Sequence, residues 1–447
     1  MSSFARILVG LEAPRQIPAV EALARALPPA WVHQAVEAAG RQSRRRRLLP
    51  AELTLWLVIL LGLFRRHSYV NLLEMLGEAG WGFARWWGKA PPSSHSLTKA
   101  RDRLGPEPLE RLFRRSAQAW VGAAPGRFVG PHRVYALDGA SFLLPDGPAN
   151  RQAFGAPAST RGRTGYPQMR AVALLDVGSH LVVAVRTGPF REGEVTLARR
   201  LVDDVPLGGF VIMDRLYRCY ELLHRLVARR NAHFLLRLKS NHVSQRVRAL
   251  GRDDVLVDVP IPRALRRLDP TLPATWTLRE IGYRTPDRRE RVRVLTSCLD
   301  PQVLPAAAVP GLYWQRWEEE TALDEIKTHQ CECAVVSRPT ALRSQTPERV
   351  RQEFLGLLLA YNLTRILMAE AAAPERLSPL RLGFLCALTR LREAVRDMMG
   401  LPALRLPDRY DRLLRAIARA LLPPRRGRRR PRAVKVKMSK YAVYRAA

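Results

Sequence analysis

Between residues 131 and 239 the hydrophobic pattern leaves its helical repeat for short apolar runs that alternate with helical stretches, and this change restricts the fold most. Arg133-Val-Tyr-Ala-Leu137 reads as a strand ending at Asp138-Gly139. Arg170 to Val177 and Leu181 to Arg186 read as two more strands, joined through the hairpin signal Gly178-Ser179. A helix is expected over Gly193 to Val202, a short buried strand over Phe210 to Met213, a helix over Cys219 to Arg230 and a strand over His233 to Leu238. The order β-β-β-α-β-α-β describes an α/β layer with mixed strand directions.

The flanks read differently. Residues 1–130 show helical periodicity over Val20 to Ala26, Ala30 to Ala39, Ala51 to Phe64, Ser68 to Leu76 and Pro106 to Val121. Ser94 to Gly105, followed by Pro106, has the look of a small helix–turn–helix, with an ordinary helical pair as the plainer reading. Residues 240–310 hold short β-like runs, several Pro and many Arg, and are expected to form a β-rich insertion. Helices resume over Tyr313 to Lys327, Pro347 to Ala369 and Leu382 to Met399, and a basic tail follows from Arg425 to Lys440. The longest apolar run, Leu53 to Phe64, is shorter than the roughly 20 residues of a membrane span and is expected to be a buried helix. With no signal-peptide pattern at the N-terminus, an intracellular protein is expected.

One segment carries an unusual set of side chains. From Leu312 to Lys327, Tyr313, Arg316, Glu320 and Lys327 are spaced by three, four and seven residues. On a helix of 3.6 residues per turn they share a face about 60° wide. A phenol, two cations and one carboxylate on one face suit a metal ion beside a phosphate. Glu318 and Glu319 fall off that face, while Asp324 lies next to it as a rival carboxylate. Asp138 and Asp214 each end an expected strand, where carboxylates at the open edge of an α/β sheet can converge. Each also has a plainer reading, Asp138 as the start of a turn and Asp214 as a helix cap. With Glu320 they could form a three-carboxylate cage for two Mg²⁺ ions held about 3.5–4 Å apart.

The charge points to the same chemistry. The chain of 447 residues carries a net charge of +34, nearly all its cations being Arg, which suits bidentate contacts to the phosphates of a polyanion. The five Cys, Cys219, Cys298, Cys331, Cys333 and Cys386, show neither zinc spacing nor a disulfide framework.

The order of these residues resembles that of bacterial insertion-sequence transposases of the DDE class, in the branch marked by a Y-x2-R-x3-E-x6-K signature. Tyr313, Arg316, Glu320 and Lys327 match its spacing at every position, and Asp138 and Asp214 match the two earlier acids. The resemblance covers about residues 15 to 440. It implies an α/β ribonuclease-H-like catalytic core interrupted by a β-rich insertion, with an all-α N-terminal domain and a helical, basic C-terminal region. The expected boundaries are 1–130 for the helical DNA-binding domain, 131–239 and 311–375 for the two parts of the core, 240–310 for the insertion and 376–447 for the C-terminal region and tail.

The resemblance further implies a Mg²⁺-dependent endonuclease and strand-transfer enzyme, able to use Mn²⁺, acting on inverted-repeat ends and on target double-stranded DNA. Asp138, Asp214 and Glu320 would hold the metals, while Tyr313, Arg316 and Lys327 would grip phosphates. Some relatives cut through a DNA hairpin with a flipped base stacked on a Trp of the insertion; Trp276 is the Trp of that block, with a core position as its plainer reading. Ser159 to Tyr166 reads as a DNA-contacting loop or a solvated one. The expected assembly is a homodimer at the synaptic stage, away from any membrane, in the bacterial cytoplasm at the nucleoid. Two rival readings stand: a transposase-derived DNA-binding protein without activity, and a metal-dependent nuclease without strand transfer.

Overall fold

The computed structural model describes residues 26–43, 45, 48–78, 91–157, 165–239, 241–242, 244–268, 270, 272–285, 290–331, 342–398, 405–423, 433–435 and 442–444. Val20 to Arg25, most of the Arg44–Arg47 cluster, most of the Ser159–Tyr166 loop and nearly all of the basic tail lie outside them. The N-terminal part contributes α1 (Pro29–Ala38), α2 (Ala51–Leu63), α3 (Tyr69–Glu78), α4 (Ser94–Leu104) and α5 (Glu107–Ala123). The strands β1 (Phe128–Val129) and β2 (His132–Leu143) follow, then α6 (Pro148–Phe154), β3 (Gln168–Asp176), β4 (Val182–Pro189) and α7 (Glu194–Leu201). Next come β5 (Phe210–Met213), α8 (Tyr220–Arg230), β6 (His233–Arg237), β7 (Gln245–Gly251), β8 (Asp254–Pro260), α9 (Arg263–Leu268), β9 (Thr275–Arg284) and β10 (Arg291–Thr296). The chain then runs through α10 (Val309–Trp314), α11 (Trp317–Asp324), α12 (Pro347–Ala372), α13 (Phe384–Met398) and α14 (Leu406–Ala418). Two short strands, Ala433–Lys435 and Ala442–Tyr444, pair near the end.

One mixed sheet runs in the order β4-β3-β2-β5-β6-β10-β9-β8-β7. β2, β5 and β6 are parallel, while β3 and β4 fold back antiparallel. The β-rich block is not a separate sheet: β10 pairs with β6 and carries the ladder outward to β7.

Beneath the sheet lies α12, a helix of 26 residues buried almost throughout. Among the described residues it is the one helix long and apolar enough to cross a membrane, and it is enclosed by protein instead. The fully buried α2 crosses it. Backbones meet there, because a Cβ on Gly62 would stand 2.5 Å from the Gly356 oxygen, and one on Gly356 would stand 2.6 Å from the Val58 oxygen. Gly356→Ala is expected to destabilise the protein by about 1–3 kcal/mol, read as a lower urea midpoint; an unchanged midpoint would show that the helices can part.

The N-terminal helices also bond to the core through Arg101 of α4, which is 1% exposed. It donates to Gln352 at 3.1 Å, to Ser344 at 3.2 Å and to the Arg349 carbonyl at 2.9 Å. Its other terminal nitrogen donates to the Tyr69 hydroxyl, so four acceptors serve the buried guanidinium without a facing carboxylate.

Candidate active site

The site begins with a register. β2 and β5 run parallel and their last paired residues are Leu137 and Met213. Asp138 and Asp214 are the next residues on each strand, so the backbone itself sets them side by side. The expectation that Asp138 ends its strand is corrected: β2 continues to Leu143, because β3 pairs with it from Asp176 down to Gln168. What ends after Leu137 is the parallel neighbour, and that opens a notch beside Asp138. Asp214 closes β5 and accepts the Arg215 amide at 2.6 Å, opening a single 3₁₀ turn over Arg215–Tyr217. Its cap role and a ligand role can coexist, since the amide takes one oxygen.

The expected unbroken helix from Leu312 to Lys327 is also corrected. α10 stops at Trp314, α11 starts at Trp317, and a π-helix spans Glu325–Gln330. Glu318, Glu319 and Glu320 occupy the first turn of α11, where carboxylates favour a helix start through the exposed amides and the dipole. The π-turn carries Lys327, and such turns are frequent at functional positions.

The structure brings Arg316 between two of the acids. Its guanidinium lies 3.5 Å from Asp138 Oδ2 and 3.1 Å from Glu320 Oε1. Burial alone would lower the Arg316 pKa, but Tyr313 and the two carboxylates hold it above its usual value. Burial pushes the Asp138 carboxyl up to about 6, against the pull of the Gly139 amide and Arg316, while Glu194 and Asp214 push the same way as burial. Tyr313 is buried and its phenol is pushed up to about 12, so it stays a neutral donor at physiological pH. Lys327 lies with its ammonium 5.8 Å from the centre of the Phe142 ring on β2.

The remaining residues are placed elsewhere. Trp276 on β9 packs against Tyr220, His224 and Phe234 with centroids 5.5, 5.9 and 5.8 Å away, within an aromatic cluster. The indole open to solvent on the Tyr313–Glu320 segment is Trp314, 63% exposed. Asp324 faces solvent, accepts from the Thr328 hydroxyl at 2.6 Å and sits 3.9 Å from His329.

Glu194 and Glu319 also stand close to Asp138. Glu194, at the start of α7, lies so near Gly139 that a Cβ there would meet its carboxyl carbon at 2.5 Å, and the Tyr217 hydroxyl approaches it at 3.4 Å. Glu319 is fully buried and neither of its oxygens makes a well-formed hydrogen bond; burial pushes its pKa well above the ordinary value, against the pull of the Asp138 amide. The register of β2 against α7 is a tertiary fact, so no local sequence signal marks Glu194. Glu319 had a signal in its wheel position, which turns it from the solvent side of Glu320.

Below these acids a buried network holds the segment in place. Glu325 bonds to Arg365 and receives the Tyr361 hydroxyl at 2.9 Å. His180, in the β3–β4 turn, bridges Arg365 and Glu318 at 2.9 Å each. Against the cost of burial, Arg365 and His180 hold the Glu325 carboxyl down at about 2.

Among the described residues no three acids, imidazoles or thiols lie close enough to form a finished metal cage. The donor set is nevertheless one of hard carboxylate oxygens, and the buried Glu319 carboxylate, with only the Asp138 amide against it, is an acceptor of the kind a buried divalent cation satisfies. The residues present therefore fit a divalent cation.

Comparison with known proteins agrees with this chemistry. Residues 18–114 match the family described as insertion element 4 transposase N-terminal, and residues 130–363 match the family described as transposase DDE domain. The chain is 31% identical over 427 residues to the transposase InsG for insertion sequence element IS4 of Escherichia coli K12, covering 93% of this chain and 92% of that one. It is 30% identical over 247 residues to InsZ of the same organism, covering 52% and 75%. A cryo-EM structure of the piggyBac transposase synaptic complex with hairpin DNA aligns over 93% of this chain and 89% of that one at 11% identity and a TM-score of 0.43, a likeness too distant to add to the assignment.

Proposed function

The chain belongs to the DDE transposases of the insertion element 4 type, and from that premise we propose that it excises and reinserts a DNA element through Asp138, Asp214 and Glu320. The observation that carries the assignment of residues is the β2–β5 register, which sets Asp138 beside Asp214, with Arg316 tying Asp138 to Glu320. The strand order β4-β3-β2-β5-β6, three antiparallel strands followed by two parallel to the first, supports a ribonuclease-H-like core for residues 131–239 and 311–375. Residues 240–310 would be its insertion, 1–130 an end-binding helical domain and 376–447 a basic C-terminal region.

Mg²⁺ bound by the three acids, or Mn²⁺ in its stead, would supply an activated hydroxyl and charge neutralisation at the leaving oxygen. The protein's own groups do the positioning. Arg316, fixed cationic in a half-dry notch, and Lys327 would hold phosphate oxygens on either side of the scissile bond and stabilise charge that develops there. Tyr313, a neutral buried phenol, would donate to a phosphate without adding charge. The excess of Arg over the surface would carry the ends of the element and the target DNA, with binding weakened steeply by salt. Two copies would bring two inverted-repeat ends together in the bacterial nucleoid. A hairpin intermediate would need an unstacked base, for which Trp276 would have to leave its aromatic cluster.

The test is full-length protein incubated with Mg²⁺, a labelled inverted-repeat end and a target plasmid. Cleaved ends together with joined products are expected. Cleavage without joining would favour the nuclease reading, and tight end binding with no cleavage would favour the inactive DNA-binding one.

A further inference from the structure

We propose that Glu319 is an additional ligand, direct or through one water, for the divalent cation that Asp138 holds. The inference rests on the assignment of Asp138 to metal binding made above. Glu319 is 0% exposed and neither of its carboxylate oxygens makes a well-formed hydrogen bond; the Asp138 amide stands against the carboxylate and eases it, but burial still pushes its pKa well above the ordinary value. Keeping a carboxylate ionised out of water without a partner costs several kcal/mol, so without a cation the group is driven towards its protonated form, and a bound cation would hold it ionised.

Three neighbouring facts say where its partner would stand. Asp138 is the charged group that acts on Glu319 most strongly. The Arg316 guanidinium attracts Glu319 without bonding to it, because its two terminal nitrogens are directed to Asp138 and Glu320. Tyr217, itself fully buried, lies within reach of the fields of Asp138, Glu194 and Glu319 together. Consecutive residues on α11 point about 100° apart. Glu320 is accordingly the more open of the two, its side chain 37% exposed where Arg316 reaches it, while Glu319 turns into the protein. A hard cation with an incomplete shell of protein ligands accepts one more carboxylate or a water held by it.

The experiment is a Mn²⁺ titration of the full-length protein without DNA, read by calorimetry and by the paramagnetic resonance of free Mn²⁺. Glu319→Gln keeps the shape and removes the charge, and it is expected to weaken Mn²⁺ binding about tenfold or more. Glu319→Leu serves as the second variant, read by thermal melting. In EDTA its melting temperature should equal or exceed that of the wild type, because a buried and poorly satisfied carboxyl group is gone. Its rise in melting temperature on adding Mn²⁺ should be smaller than the wild-type rise. Mn²⁺ affinity within twofold of wild type for Glu319→Gln, or an equal Mn²⁺-dependent rise for Glu319→Leu, would overturn the proposal. Asp138→Ala separates the two levels: if it too binds Mn²⁺ like wild type, the assignment of Asp138 has failed, whereas loss in Asp138→Ala with none in Glu319→Gln overturns only the role of Glu319.

Discussion

Asp138→Ala and Asp214→Ala each lower end cleavage by about a thousandfold or more while the DNA end remains bound. The expectation comes from their placement. Each follows the last residue pair of the parallel β2–β5 ladder and neither belongs to the apolar core, so removing one carboxylate is expected to leave the sheet intact. Both would serve one metal-dependent step, so the double variant should be no worse than the poorer single, in contrast to independent sites. Asp138→Asn should be nearly as poor as Asp138→Ala, since shape without charge does not hold a hard cation. The measurement is single-turnover cleavage of a labelled end, with gel-shift binding alongside. Cleavage within tenfold of wild type in either variant would remove that residue from the site.

Glu353→Ala is expected to destabilise the protein by about 3–5 kcal/mol. Glu353 on α12 is the acceptor for Arg65 after α2, for the Ser344 amide at 2.8 Å and for the Arg343 amide at 3.0 Å. Arg343 in turn donates to the carbonyls of Arg65 and His67 at 3.0 and 2.9 Å. Truncation takes the carboxylate away from a buried guanidinium and two amides, and that penalty exceeds the net worth of the pair. Replacing Arg65 and Glu353 together by Leu should recover much of the loss, because the uncompensated charge is then gone.

The same carboxylate sets a pH window. Against burial, Arg65 and Arg343 hold Glu353 down at about 2, below its ordinary 4.5. A group depressed on folding stabilises above its unfolded value and loses that contribution as pH falls towards the folded one. The urea midpoint should therefore fall between about pH 4.5 and 2, and Glu353→Gln should flatten part of that fall, with Glu325 responsible for another part. An acid slope identical in wild type and Glu353→Gln would show the pair to be inert.

Where the sequence was legible, one face of each element was dry. Phe210-Val-Ile-Met213 is a short run buried on every residue, and its end at Asp214 could be read directly. Arg133 to Leu137 reads as a strand ending at Asp138-Gly139, yet pairing with β3 carries the strand five residues further. β7 left no pattern, since nearly every residue from Gln245 to Gly251 is exposed and no buried face marks the alternation. Tyr313 to Lys327 had the right residues in the right order, but its division into α10, α11 and a π-turn depends on packing against α12 and the β3–β4 turn. Glu319 shows the same limit: the wheel gave its direction, and only the fold could say that the direction leads inward to Asp138.

β6 has a parallel neighbour, β5, on one side and an antiparallel one, β10, on the other, although β10 begins more than fifty residues later in the chain. A lineage that trimmed residues 240–297 would therefore not return to a smaller stable ancestor. It would bare the backbone groups of Phe234 and Leu236, which face β10 while Leu235 between them faces β5; both residues are fully buried, and they would form a sticky hydrophobic margin ready to pair with the next molecule. Shortening by deletion thus leads towards aggregation, and the accessible evolutionary changes are at the outer rim, around β7, where exposed side chains can be exchanged without opening the ladder.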